Sequence, residues 1–490
     1  MAGEAHKENK LARKYSAGTL FLFALPMILL QLWTGIYTMV ASMFSAVYVS
    51  TDALAAVNMA YPILSIEEAI GGCIATGAGV LIAEKLGAGE KESARSLLTG
   101  TIAWLFIIGL IWAVAVWLIG DPFYNMLGAD DTLRPLIHEY YNVYVFFAAF
   151  YALQIGLQVI MVTASKPTKG LIITICTGII NVAITWVCTA VLHVGIVGLS
   201  LGEGLSALIA VIACICCLLN KNDDLHLAKP DFDVKFLGRT IYVGSGPLFY
   251  SIATSVMTIL FNVGAITYFG ADGEAAGAIL LYAQFLFVAV FIGLGEGSSP
   301  VVAYRFGCLN IAKLQDICKK YLRVFGIVAI VDGVLAFFMA DPIMFLYGQP
   351  QDSPVYRIAK DAWMLFSVQY IFAGVSFCAQ SLFAGVGDGK RTGFVSALHA
   401  LILPIIFLMV LPPVVGGVGV WAALPASEVI ASVVAVAMII HGNKKYHYLP
   451  SKDPKVDEAA QAENDIKIAE LKAQGIDVEQ QALEAAEVEQ

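Results

Sequence analysis

Long apolar blocks separated by short polar breaks recur from residue 17 to residue 441. Residues 101–120 (TIAWLFIIGLIWAVAVWLIG) carry no charge, and 170–202 hold no Asp, Glu, Lys or Arg. A membrane-spanning helix needs about 20 apolar residues. In hydrocarbon every backbone N–H and C=O needs an internal partner, so only helices and closed barrels cross. Barrel strands alternate apolar and polar positions, and these blocks do not. The pattern predicts an all-α membrane protein with about twelve transmembrane helices: 17–47, 53–83, 97–119, 136–163, 170–192, 196–219, 239–269, 275–303, 320–347, 362–387, 393–414 and 418–441.

The chain repeats itself at an offset of about 220 residues. Asp52-Ala53 pairs with Asp272-Gly273, Ala83 and Gly87 with Ala303 and Gly307, Asp121-Pro122 with Asp341-Pro342, and Gly128 with Gly348. One residue further on, Pro26 pairs with Pro247, Lys169 with Lys390, and Val197-Gly198 with Val418-Gly419. Six helices per repeat is an even number, so both halves have the same orientation. Parallel repeats of this kind are a transporter device, with substrate bound between halves that rock to alternate access. The expected organisation is an N-terminal segment 1–16, a first six-helix lobe 17–219, a polar linker 220–238, a second lobe 239–441 and an acidic tail 442–490.

Composition narrows the class. The 490 residues are 59% hydrophobic and 14% charged, against roughly 45–50% and 25% in soluble domains. That excludes a soluble multidomain enzyme, a disordered chain and a disulfide scaffold. The net charge of −9 is mostly a property of the tail, because residues 451–490 alone sum to −7. Outside the tail, 22 Lys and Arg fall on one side of the predicted helices and only Arg134, Arg357 and Lys360 on the other. The positive-inside rule then places both termini in the cytoplasm, and the expected site is the inner (plasma) membrane of a bacterium. The first apolar run is too long for a cleavable signal peptide. The nine cysteines include no CxxC pair and read as small buried residues.

A carboxylate at mid-bilayer costs at least about 2.5–3.5 kcal/mol, so each one needs a reason. Glu67, Glu68, Glu203, Glu296, Asp332 and Glu428 all fall in predicted spans. Adjacent helical residues point about 100° apart, so Glu67 and Glu68 cannot share a face. Asn58, Tyr61, Ser65, Glu68 and Gly72 form a polar stripe, which makes Glu68 the cavity acid. Glu67 faces a neighbouring helix. A carboxyl removed from water can take up a proton near neutral pH and release it to a competing cation, which is what ion-coupled export requires. Glu68, Glu67 and Glu203 are therefore the candidate coupling acids. Asp332 fits a helix–helix hydrogen bond equally well, and Glu296 a gate or a structural role. Glu428 and further polar stripes supply candidate substrate contacts. These are Tyr37 and Thr38 in the first span, Asn58 and Tyr61 in the second, Gln154 and Gln158 in the fourth, Asn181 in the fifth, Thr258 and Asn262 in the seventh, and Gln369 and Gln380 in the tenth. Abundant aromatic residues can hold organic cations by cation–π contact. His193 and His399 stand singly near helix ends, and no metal motif is visible.

Residues 50–94 (STDALAAVNMAYPILSIEEAIGGCIATGAGVLIAEKLGAGEKESA) resemble the multidrug and toxic compound extrusion (MATE) family. Leu25-Pro26, GEGSSPVVAYRFG at 295–307, GVGDGKRT at 385–392, and Gly419-Val420-Trp421 with Pro425 and Glu428 extend the resemblance over residues 15–445. It implies a V-shaped pair of six-helix lobes around a central cavity, exporting organic and often cationic compounds against inward H⁺ or Na⁺. The expected partners are small organic molecules and the lipid bilayer, with no nucleic acid. The chain is expected to act as a monomer, to use no cofactor beyond the coupling ion, and not to be an enzyme. It also departs from the family pattern. Ala41 stands near a common Asp of the first span, and its repeat mate is Asn262. Thr185 replaces an Asp of the fifth while Asn181 is kept. Basic residues common near Val162 and at His399 are missing. Coupling is thereby expected to rest on Glu68, backed by Glu67 and Glu203.

Rival classes fit less well. GVGDGKRT lacks the first Gly and the final Ser or Thr position of a P-loop. Gly198-Leu199-Ser200-Leu201-Gly202 matches a nucleophile elbow in spelling only, since no strand precedes it. An uncoupled channel does not suit the two-lobed repeat. The alternative within the same superfamily is a lipid or lipid-linked sugar flippase, which would present basic residues for phosphates where these spans present acids.

Overall fold

A computed structural model describes residues 9–126, 133–476 and 478; Gly128, paired above with Gly348, lies outside them. The described residues contain helices and no strand. The helices are α1 (Ala17–Phe44), α2 (Thr51–Gly87), α3 (Lys91–Met126), α4 (Leu133–Thr163), α5 (Pro167–Trp186), α6 (Val197–Leu218), α7 (Val234–Val243), α8 (Ser245–Gly307), α9 (Ile311–Phe338), α10 (Ala340–Leu346), α11 (Pro354–Gly385), α12 (Gly389–Ala397), α13 (Leu403–Val415), α14 (Val418–Tyr446) and α15 (Pro454–Ala473). Eleven segments among the described residues are long and apolar enough to cross a membrane.

Eleven segments provide twelve crossings because α8 counts twice. Its 63 residues would extend about 95 Å at 1.5 Å per residue, some three times the hydrocarbon thickness of roughly 30 Å. Gly270 breaks it with φ 64° and ψ −151°. Only glycine readily takes that backbone conformation, having no Cβ to clash. Where the sequence predicts a loop between the seventh and eighth spans, a single residue makes the turn.

The chain divides into two compact units. The first holds residues 29–86 and 90–241 together with the described residues 9–13. Its core lies among α2, α3, α4 and α6, where Ala53, Ala56, Ala60 and Ile63 meet Ala113, Tyr140, Tyr144 and Leu199. The alanines of α2 recur at three- and four-residue intervals and let α4 approach closely. Tyr141 donates its hydroxyl to Ala60 O at 2.7 Å across this contact.

The second unit holds residues 14–28, 87–89 and 242 onward. The first part of α1 belongs here for a visible reason. Gly293 and Gly297 of α8 form a GxxxG pair, and a Cβ added to either would come within 2.5 Å of Ile28 Cα or 2.8 Å of Ala24 Cα. Small residues at that spacing allow two helix backbones to pack in contact. Elsewhere the unit is held by buried aromatics. Phe287 stacks on Tyr370 at 4.9 Å, and Phe261 meets Trp421 edge-on at 5.4 Å. The tail contains α15, which docks beside α9: Gln461 accepts from Ile311 N at 2.8 Å and donates to Leu309 O at 3.2 Å.

Candidate functional site

Each unit carries its own acidic cluster within the predicted spans. In the first, Glu203 of α6 accepts a hydrogen bond from Tyr140 of α4 at 2.5 Å. Glu68 of α2 is exposed, and Tyr37 of α1 and Tyr151 of α4 lie within electrostatic reach of both Glu68 and Glu203. Four helices therefore converge on two carboxyls and three phenols. Neighbouring tyrosines extend the cluster along α4. Rings 140 and 141, 141 and 144, and 144 and 151 are in edge contact at 5.8, 5.7 and 6.4 Å. The phenol faces offer a quadrupole to a cation and the hydroxyls offer hydrogen bonds.

Asn181 of α5 joins this cluster from behind. Its Nδ2 donates to Ser206 Oγ at 3.3 Å, and Ser206 donates to Glu203 O at 2.9 Å. The Oδ1 of Asn181 is buried without a partner. Gln158 donates to Thr174 at 3.4 Å, while Gln154 is buried in α4. Tyr61 is exposed on α2 two turns before Glu68. The side chains of Thr38 and Asn58 lie outside the described residues.

Glu67 is held apart from Glu68. It is 2% exposed, and neither carboxyl oxygen has a hydrogen-bond partner. It lines a void of about 10 Å³ with Gly71, Leu105, Gly109, Trp112 and Ala152. Such a void is about the size needed for one water, and the unpartnered indole Nε1 of Trp112 shares it.

The second unit builds its cluster on α8, α11 and α14 with the turn 398–402. Glu428 Oε2 accepts from Ser376 at 3.0 Å, and Oε1 stands 3.1 Å from His399 Nδ1. His399 Nε2 is 3.4 Å from Gln380 Oε1. The imidazole stacks on Tyr250 at 6.5 Å and meets Phe377 edge-on at 5.0 Å. Both ring nitrogens thus face oxygen atoms, and His399 is fully enclosed at 2% exposure.

The backbone around His399 follows from Pro404. Proline has no N–H to give back along the helix. Residues 398–402 instead form a wider turn with five-residue spacing, closed by Leu403 N bonding to Leu398 O. Such turns displace one residue from regular helical register and occur frequently at functional sites. Other predicted contacts of this unit lie apart. Thr258 bonds back to Thr254 O at 2.9 Å on its own helix. Asn262 Oδ1 and Gln369 Nε2 are buried without partners, as is Asp332 Oδ2 in α9.

The structure brings Glu68, Glu203 and Tyr37 together in the first unit and Glu428 and Gln380 together in the second, with two partners that sequence reasoning left out of the site, Tyr140 and His399. Tyr140 was legible from its spacing with Tyr144 and Tyr151, which puts all three on one α4 face. His399 was not legible, because a single histidine ten residues beyond a Gly-Lys-Arg break reads as a helix end. Among the described residues no group of three or more His, Cys, Asp or Glu could hold a metal ion.

The MatE family model matches the chain twice, at residues 26–187 and 247–410, which is well over half its length. The chain belongs to the MATE family. Members are multi-pass membrane transporters and not enzymes. Among curated proteins, it is 22% identical over 392 residues to the multidrug export protein MepA of Staphylococcus aureus (strain MSSA476), covering 79% of this chain and 86% of that protein. MepA of Staphylococcus haemolyticus is 24% identical over 416 residues, or 84% and 90%. Among solved structures, an outward-facing multidrug resistance MATE family transporter of the MOP superfamily superposes with a TM-score of 0.82 at 18% identity, covering 90% of this chain and all of that one. A point mutant of the Vibrio cholerae MATE transporter VcmN gives 0.81 at 16% identity, covering 88% and 98%. At these identities the structural likeness concerns the fold.

Proposed function

We propose that this MATE transporter exports small organic cations, including drugs, in exchange for inward H⁺ by alternating access. The observation that carries this reading is the pairing of a membrane-embedded carboxyl with proton-exchanging partners in each unit: Glu203 with Tyr140, and Glu428 with His399 and Ser376. Imidazole and phenol exchange protons readily, and an imidazole beside the carboxylate is a poor neighbour for Na⁺, which prefers several oxygen ligands. Glu68 belongs with Glu203 as the acid that meets either the proton or the cation, and Tyr37, Tyr140 and Tyr151 hold the cation's apolar body. Glu67, turned away from this group, supports it from the contact of α2 with α3 and α4. Asn181 and Gln158 line the first unit's site, with Tyr61 on the approach. Gln380 serves the second through His399, from which Gln369, Thr258 and Asn262 lie apart. The relatives' names as multidrug export proteins support drug-like substrates.

The charge asymmetry of the loops supports a bacterial plasma-membrane placement with both termini in the cytoplasm, and the chain is proposed to work as a monomer. Ethidium efflux from a pump-deficient bacterium expressing the chain tests the reading. Efflux should stop when the proton gradient is collapsed and continue when only the sodium gradient is. Loss with sodium alone would make Na⁺ the coupling ion, and absence of efflux for any organic cation would favour lipid or lipid-linked sugar flipping.

A further inference from the structure

Glu67 is an embedded acid to which the exchange reading gives no chemistry of its own. Three helices of the first unit meet around it. Glu67 and Gly71 lie four residues apart on one face of α2. Leu105, Gly109 and Trp112 follow at four- and three-residue spacing on α3, and Ala152 of α4 completes the ring. The two glycines let the helices approach. A Cβ on Gly109 would stand 2.6 Å from Ala149 Cα, and one on Gly71 would stand 3.4 Å from Ala152 O. The void of about 10 Å³ is what these small residues leave between them.

Polar atoms of opposite kind converge on that void. Both Glu67 oxygens are buried acceptors without a partner, on a residue only 2% exposed. Trp112 Nε1–H, beside the same space, is a buried donor without a partner. Ala152 O faces Gly71, and a carbonyl keeps a second lone pair beyond its helical bond. A buried water makes about three hydrogen bonds. Here it would accept from Trp112 and donate to Glu67 and to Ala152 O. The volume excludes anything larger, and an indole donor on the same space disfavours a metal cation.

We propose that Glu67 and Trp112 bind one water in this void, and that the bridge makes Glu67 the positioning residue for Glu68. The link from water to position is geometric. Glu68 follows Glu67 about 100° around α2, exposed where Glu67 is buried. Side-chain tips ride about 5–6 Å from a helix axis, so turning α2 by about 20° would carry the Glu68 tip about 2 Å. That is several times the roughly 0.5 Å spread of hydrogen-bond lengths. A water bonded to α3 and α4 holds that rotation from the side of α2 away from the acidic cluster. The positioning role rests on the exchange reading, whereas the water site does not.

X-ray radiolysis of the full chain in nanodiscs tests the water. Hydroxyl radicals form from waters in place, so an indole touching a bound water is oxidised out of reach of bulk solvent. Trp112 should be oxidised in the parent. Labelling should be lost in Glu67→Leu, which fills the same space without an acceptor, and kept in Glu67→Gln, which retains an oxygen. An apolar side chain in place of an unpartnered buried acid removes a desolvation cost, so the chain should still fold. Trp117, 70% exposed on the same helix, should label alike in all three and so reports any general loosening. In proteoliposomes, protons moved per ethidium exported test the position, because a merely damaged chain lowers both fluxes together. Glu67→Leu should lower that ratio as Glu68→Gln does, and Glu67→Gln should restore it. Trp112 unlabelled in the parent, or still labelled in Glu67→Leu, overturns the water site. An unchanged ratio in Glu67→Leu overturns the positioning role. So does a ratio in Glu67→Gln as low as in Glu68→Gln, which would make Glu67 a proton carrier itself. A parent that exports ethidium with no proton flux would sink the exchange reading instead, and Trp112 labelling would still decide the water site.

Discussion

Glu428 and His399 sit on neighbouring helices of one hairpin, and Glu428 shares its two oxygens between His399 and Ser376. A Glu428→Gln side chain keeps the Ser376 hydrogen bond but cannot take up and release a proton. We predict loss of at least about tenfold in transport rate with the protein still folded, read as efflux rate against surface expression. His399→Gln should slow turnover more than it changes substrate affinity. Outside the spans, Asp388 caps α12 by accepting from Arg391 N at 3.2 Å, and also takes the Arg391 guanidinium and Tyr446 OH at 2.9 Å. Burial pushes its carboxyl up, but the Arg391 and Tyr446 donors outweigh burial and hold it below its ordinary value. A carboxylate with a lowered folded value stabilises fully above about pH 4. That contribution fades as pH falls through the folded value. Asp388→Ala should cost about 1 kcal/mol at pH 7 through the lost cap. The melting-temperature gap to the parent should narrow as pH drops below about 4.

At the scale of elements, the twelve crossings were readable because each apolar block exceeds the bilayer minimum and the breaks carry the basic residues. Helix ends were less readable. Gly270 turns α8 within a run of helical hydrogen bonding, and a one-residue turn leaves almost no compositional trace. Gly270→Ala should cost on the order of 1–3 kcal/mol from backbone strain, measurable as lower thermal stability with unchanged helical circular dichroism. The wide turn at 398–402 was also hidden, since Pro404 is one of several prolines within spans and only tertiary packing shows which one shifts the register. Docking of α15 through Gln461 could not be read from composition, because an Ala/Glu/Gln-rich stretch is equally helical with or without a partner. Removing residues 450–490 should lower the melting temperature, while leaving transport in place.

At the scale of the whole molecule, the offset between the two MatE matches, 26 to 247, equals the spacing between the paired prolines Pro26 and Pro247 in the sequence. The duplication does not extend to the chemistry. Val197-Gly198 and Val418-Gly419 align, yet Glu428 lies one turn further along α14 than Glu203 does along α6. One carboxyl meets a tyrosine and the other a histidine, so the two units should contribute unequally. Which polar groups pair was invisible in sequence, because the partners come from helices far apart in the chain: Tyr140 is 63 residues from Glu203 and Ser376 is 52 from Glu428.

The most direct measurement is proton movement in sealed proteoliposomes containing a pH-sensitive dye, triggered by an organic cation such as ethidium with no sodium present. The parent protein should move protons opposite to the cation, and Glu203→Gln and Glu428→Gln should each abolish or uncouple that movement. Cation-driven proton flux that continues undiminished when both glutamates are replaced would contradict the account.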